Sequence, residues 1–230
     1  MKMTPLQDLK SLNVKQLIFL TTMLIIMVSL SLYWNDSLVG ILAGVTGVMC
    51  VFLVNMRKLS NFLWGFINCA LYGYVAYSAS YFGDTMLNWG FYLPIQLIGY
   101  YMWSKSMEEG EVKSRSLNTI TAVQITFITI LTVVVYSTLL QLLGGKLSFV
   151  DSTTTVLSVA ATFLMVKGYR EQWLCWIAVN LLSIYMWVVN YQLEGSGAGV
   201  LIMWFMFLAN SIYGCISWWK VSNKPENNLQ

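Results

Sequence analysis

Runs of about twenty apolar residues set the limits on this chain, because that is the length an α-helix needs to cross the hydrocarbon core of a bilayer. Eight such runs can be marked, centred on 17–34, 37–55, 60–79, 85–104, 117–140, 150–166, 172–190 and 198–219. Little chain is left between them, so a single membrane domain filling 1–230, with no separate soluble module, is expected. Charged residues make up 10% of the sequence and hydrophobic ones 57%, where a soluble domain carries about 25% charged. The expected fold class is therefore all-α and polytopic, with eight transmembrane helices. A signal-peptide reading of Lys10 to Trp34 is set aside, since the run is long for such a segment and no Ala-x-Ala site follows it.

Charge sets the expected orientation. With the N-terminus inside, the inner segments hold every Lys and Arg except Lys146, a split of 12 to 1. Both termini are then cytoplasmic. Dropping the first span would put Lys2, Lys10 and Lys15 outside, which makes the bias worse. The charge-dense stretch from Lys105 to Arg115, with Glu108, Glu109 and Glu111, reads as a solvated cytoplasmic linker.

That linker falls between two related halves. At an offset of 112, Val54 meets Val166, Trp64 meets Trp176 and Asn68 meets Asn180. At 115, Trp89 meets Trp204, Gly99 meets Gly214, Trp103 meets Trp218 and Lys105 meets Lys220. Trp is only 10 of 230 residues, so three coincident Trp pairs argue for a true repeat. The first three-helix repeat is expected over 37–104 and the second over 150–219, with a linking helix over 117–140 and one extra N-terminal helix. This 3+1+3 plan of parallel repeats is a transporter architecture, with substrate held near the midplane where the repeats meet.

Mid-span polar residues supply the candidate site. From Glu171 to Trp187, the residues Trp173, Trp176, Asn180, Ser183 and Trp187 recur at spacings of three and four, which aligns them on one helical face. An amide buried in hydrocarbon without a partner costs roughly 4 to 8 kcal/mol, so Asn180 must face a helix, water or a ligand. Asn68, Gln96, Asn180 and Asn210 fall near the middle of four different spans. Asn88, Tyr92 and Tyr100 share helical spacing with Gln96, and Trp64 and Tyr72 with Asn68. The substrate-binding set is therefore read as Asn68, Asn88, Tyr92, Gln96, Trp173, Trp176, Asn180 and Asn210. The competing account is that these amides only join helices, at an average of about 0.6 kcal/mol each.

Several chemistries find no support. The chain has no His, which removes imidazole metal sites and His-based triads, and no phosphate-cradling Gly-x-x-x-x-Gly-Lys-Ser/Thr loop. Its four Cys form no Cys-x-x-Cys pair. Acids lie at span ends or in loops, so neither a proton relay nor an ion-coupling site is suggested. An enzyme, a cofactor, a metal and a nucleic-acid partner are all unexpected, and passive uniport is the simpler reading.

The Trp-x-x-Trp-x-x-x-Asn run at Trp173, Trp176 and Asn180 resembles the signature of the PnuC family of nicotinamide riboside transporters. Ser60-Asn61-Phe62 leading into Gly65, Ile67 and Asn68 looks like its first-repeat counterpart. The run from Tyr81 to Trp103, with Gly83-Asp84, Asn88 and Pro94-x-Gln96-x-x-Gly99, is also similar to that family, and the resemblance extends from about Asp36 to Lys220. It implies uptake of nicotinamide riboside for NAD synthesis by facilitated diffusion, in a SWEET-like fold of the bacterial inner membrane, and a homotrimer is the expected assembly. Superfamily relatives carry thiamine, riboflavin or deoxynucleosides, so those substrates stay open. The expected outer loops carry Asp36, Asp84, Asp151 and Glu194 against Lys146, a net of −3, which would attract a pyridinium cation that could then stack on Trp.

Overall fold

A computed structural model describes residues 5–33, 37–78, 85, 87–108, 110–142, 147–194 and 198–222. The outer-loop charges Asp36, Asp84 and Lys146 and the motif residues Tyr81 and Gly83 lie outside them, as does the side chain of Trp187. The chain divides into two compact units, Met1–Lys113 and Ser114–Gln230.

The first unit opens with a six-residue helix, α1 (Pro5–Lys10), and continues through α2 (Val14–Tyr33), α3 (Leu38–Asn55) and α4 (Asn61–Ser78). A π-helical turn, Leu87–Tyr92, then runs into α5 (Leu93–Ser106). Pro94 lies in the first turn of α5. Its ring has no N–H to give to Gly90 and crowds that carbonyl, and the wider π turn just before it relieves the conflict. The sequence reading of 85–104 as one regular helix did not foresee this turn. A short antiparallel hairpin follows, β1 (Met107–Glu108) and β2 (Glu111–Val112), with Gly110 at φ 82°.

The second unit comprises α6 (Thr119–Leu142), α7 (Ser148–Val166), α8 (Gln172–Glu194) and α9 (Ala198–Ser222). Among the described residues, α2, α3, α6 and α7 are long and apolar enough to cross a membrane by length and composition, and α8 carries a shorter apolar stretch, Gln172–Met186. Exposed apolar side chains cover α2 and α6: Ile18 and Ile25 are each 61% exposed, and Phe127 67%. Such surfaces are unfavourable in water but native to hydrocarbon.

Each unit closes one end with a buried Trp. Trp103 of α5 is 0% exposed and meets Phe62 of α4 edge-on, with ring centroids 4.9 Å apart. Trp218 of α9 is also 0% exposed and meets Trp173 of α8 at 6.1 Å. The α4–α5 contact is tight because Gly99 lies directly under the Phe62 ring, where a Cβ would collide.

α3 and α7 also end alike. Arg57 N–H donates to Val54 O and Lys58 N–H to Leu53 O; in the second unit Gly168 N–H donates to Met165 O and Tyr169 N–H to Leu164 O. Both are Schellman endings with a left-handed residue, Arg57 at φ 55° and Gly168 at φ 75°.

The 105–115 stretch matches the expected solvated linker at the exposed Lys105, Lys113 and Arg115 and departs from it at Glu111 and Val112. Val112 is 3% exposed and its N–H donates to Arg57 O, while Glu111 takes Lys58 Nζ at 3.0 Å and the Arg57 guanidinium. Past it, Arg115 bonds Gly168 O through its N–H and accepts from Arg170 N–H through its carbonyl, both at 2.9 Å. Glu111 thus anchors the turn after α3 by charge, and the Arg115 backbone anchors the turn after α7.

Candidate functional site

In the first unit the site residues ride on α4, the π turn and α5. Asn68 is half-buried on α4, and its Nδ2 donates to Ala43 O of α3 at 2.7 Å. A backbone carbonyl only accepts, so this bond fixes which end of the carboxamide is which and leaves Oδ1 out of the bond to α3. Asn68 reaches α3 because Gly47 is bare; a Cβ there would stand 2.9 Å from Nδ2. Gln96 on α5 is 7% exposed, and its Oε1 has no hydrogen-bond partner among the described residues. It lies against Gly65 of α4, whose Cβ would stand 2.6 Å from that oxygen. Small residues thus let two helices approach around a polar group. Asn88 is buried in the π turn, while Tyr92 is half-buried with its ring tilted against Phe91. Tyr100 does not follow Gln96 into the interior and is 41% exposed.

A cavity of about 390 Å³ opens beside Gln96, lined by Leu59, Ser60, Phe62, Phe66 and Tyr100, with Pro5 of α1 at its edge. It is mostly apolar, with an aromatic wall and the unbonded Gln96 Oε1 beside it.

In the second unit Asn180 on α8 is 3% exposed and donates from Nδ2 to Ser211 Oγ of α9 at 2.8 Å. Asn210, next to Ser211, is 2% exposed. Trp176 is half-buried, whereas Trp173 is committed to the core against Trp218. The face read from sequence is present: Trp173, Asn180 and Ser183 are buried, while Leu174, Leu181 and Tyr185 are each more than half exposed. Asn68 and Asn180, aligned by the repeat, both spend their NH2 on a neighbouring helix, so each also joins helices. Sequence reasoning missed Ser211 and Gly47, and named Gly65 only as part of the family motif, not as a close helix contact. The glycines carried the only available signal, since bare residues inside an apolar run mark close helix contacts.

Charge stays at the ends of the helices. Burial pushes the Glu111 carboxyl up, but the charges and hydrogen bonds of Arg57 and Lys58 outweigh it, so it titrates below its ordinary 4.5. Among the described residues no cluster of His, Cys, Asp or Glu could hold a metal ion.

Residues 37–220 match a family model described as nicotinamide mononucleotide transporter. The nicotinamide riboside transporter PnuC of Neisseria mucosa is 39% identical over 81% of this chain and 73% of its own length. The protein of the same name from Haemophilus influenzae is 34% identical, over 81% of each chain. The crystal structure of a vitamin B3 transporter PnuC superposes with a TM-score of 0.79 at 35% identity, covering 92% of this chain and 93% of that one. With a family match over most of its length, relatives well above 30% identity and a shared fold, the chain is an integral membrane protein that belongs to the PnuC transporter family.

Proposed function

We propose that the chain carries nicotinamide riboside across the bacterial inner membrane, down its gradient. The observation that carries the reading is an uncharged set of buried amides and aromatics in a chain akin to transporters named for that substrate. The family model's description names the mononucleotide instead, and the two differ by a phosphate. A buried phosphate would call for Arg or Lys donors, and among the described residues none lies in the middle of a helix. Arg57 and Lys58 sit at a turn and are already engaged by Glu111. The uncharged riboside moiety fits the amides better. Among the described residues no Asp or Glu lies in the middle of a membrane-length helix either, which supports uncoupled transport.

The residues assigned to substrate are Asn68, Asn88, Tyr92 and Gln96 of one unit, and Trp173, Trp176, Asn180 and Asn210 of the other. The architecture we assign is eight spans in a SWEET-like 3+1+3 arrangement, repeats over 37–104 and 150–219 about a linking helix over 117–140, with both termini cytoplasmic. The assembly we assign is a homotrimer.

The test is uptake into liposomes containing only this protein, without ion gradients, of nicotinamide riboside, its mononucleotide, thiamine, riboflavin and a deoxynucleoside. Nicotinamide riboside is expected to equilibrate and not to accumulate. Preference for another compound would overturn the substrate, and uphill accumulation abolished by an ionophore would overturn the uncoupled mechanism.

A further inference from the structure

The start of α4 is held by a residue from outside the repeats. Ser60 stands at the head of that helix, where its carbonyl accepts from the N–H groups of Leu63 and Trp64. Its own N–H is among the donors that a helix start leaves without an intrahelical partner. Asp8 of α1 supplies the acceptor, with Oδ2 3.1 Å from Ser60 N. The carboxylate is 0% exposed, yet its Oδ1 has no partner among the described residues, and neither has Ser60 Oγ beside it. A carboxylate shut away with one oxygen unused is poorly compensated for the water it has lost. The positive end of α4 offsets part of that loss. Docking is therefore finely balanced.

The neighbouring restraint differs in kind. Glu111 grips the side chains of Arg57 and Lys58 from a hairpin that is continuous with α5. Asp8 reaches the same turn from a six-residue helix with only the Ser11–Asn13 segment joining it to α2. In the second unit the buried Gln172 at the head of α8 is held by its own turn, with Nε2 donating to Tyr169 O at 3.1 Å. Pro5 of the same short helix borders the cavity into which Gln96 faces.

We propose that α1 is a latch: Asp8 closes over the head of α4, and it leaves Ser60 when α4, which carries Trp64 and Asn68, moves during transport. The role in transport rests on the reading given above, while the opening of the latch does not. The first experiment uses the full chain in detergent and follows the rate at which a maleimide labels Ser60→Cys, a side chain buried under α1, above the background of the four native cysteines. Labelling is expected to be slow and to speed up about tenfold when Asp8→Ala removes the acceptor. Asp8→Asn keeps an acceptor oxygen and is expected to fall between the two. Equal rates in all three overturn the latch, whatever the chain carries. In liposomes, the oxidised double variant Asp8→Cys with Ser60→Cys is expected to lose uptake and regain it on reduction. Full uptake by the cross-linked protein overturns the transport role of the latch. No uptake of nicotinamide riboside by the unsubstituted chain would instead sink the substrate, and the labelling rates would still decide the latch.

Discussion

Asn180→Leu and Ser211→Ala together separate the two things a buried amide can do. Asn180 donates to Ser211 Oγ at 2.8 Å with both residues almost wholly buried, so either substitution removes the same interhelical bond. Such bonds in membranes average about 0.6 kcal/mol. A chain of this size shifts its melting temperature by about 2–4 °C per kcal/mol, so Asn180→Leu should melt about 1–3 °C lower, and Ser211→Ala, which strands the buried Asn180 NH2, further still. In Asn180→Leu the freed hydroxyl can turn to a carbonyl of its own helix one turn back, leaving no orphan. Binding should distinguish them. Ser211→Ala leaves the Asn180 carboxamide in place, and affinity should change little. Asn180→Leu also removes the group assigned to substrate. Losing that bond costs about 0.5 to 1.5 kcal/mol, and a stranded partner adds about 1 to 3 more, so affinity should fall tenfold or further. Calorimetric titration with nicotinamide riboside beside a thermal melt reads both quantities. If both variants bind like the parent, Asn180 is helix glue alone and the site assignment fails.

Three further outcomes are expected. Gly65→Ala pushes on the end of Gln96 and should weaken binding more than stability, whereas Gly99→Ala pushes on the rigid Phe62–Trp103 pair and should destabilise by about 1–3 kcal/mol; equal effects on melting and titration would show that Gln96 is not at the site. Because the carboxyl of Glu111 titrates below its unfolded value, the stability it lends is complete above about pH 4.5 and is lost as pH falls through the folded value; Glu111→Gln should remove that acid-side loss, and an unchanged pH–melting profile would refute the pairing. Cysteines placed at Ser37 and Ser106 should label only from outside and only from inside respectively, and outside labelling at Ser106 would reverse the proposed orientation.

Hydropathy was enough to place the long helices, because burying a backbone in lipid demands complete helical pairing over a set length, and little else in the sequence competes with that demand. The face carrying Asn180 and Ser183 was equally legible from spacing. Pairing was not. Asn68 and Asn180 look interchangeable in the aligned repeat, yet one donates to the backbone of the preceding helix and the other to a serine of the following one. Those choices depend on helix rotations that periodicity does not encode. The hairpin at Met107–Val112 was hidden by its charges, which read as solvent-seeking until Glu111 was seen between Arg57 and Lys58. α1 was invisible for a simpler reason: six residues with one buried acid leave no periodic signal.

The unlike residues at the two Schellman endings give the halves of the chain different sensitivities. Gly168 accepts its left-handed backbone at no steric cost, while a side chain at Arg57 raises the energy by about 1–2 kcal/mol. That conformation coincides with the grip of Glu111, a carboxylate whose side chain is 38% exposed and therefore open to counterions. Raising ionic strength should soften the bend after α3 more than the bend after α7, where the Arg170–Glu171 pair is better shielded than the Glu111 carboxylate. One helix pair then turns at a bend gripped by a carboxylate open to the electrolyte, and the other at a bend that a glycine permits by itself.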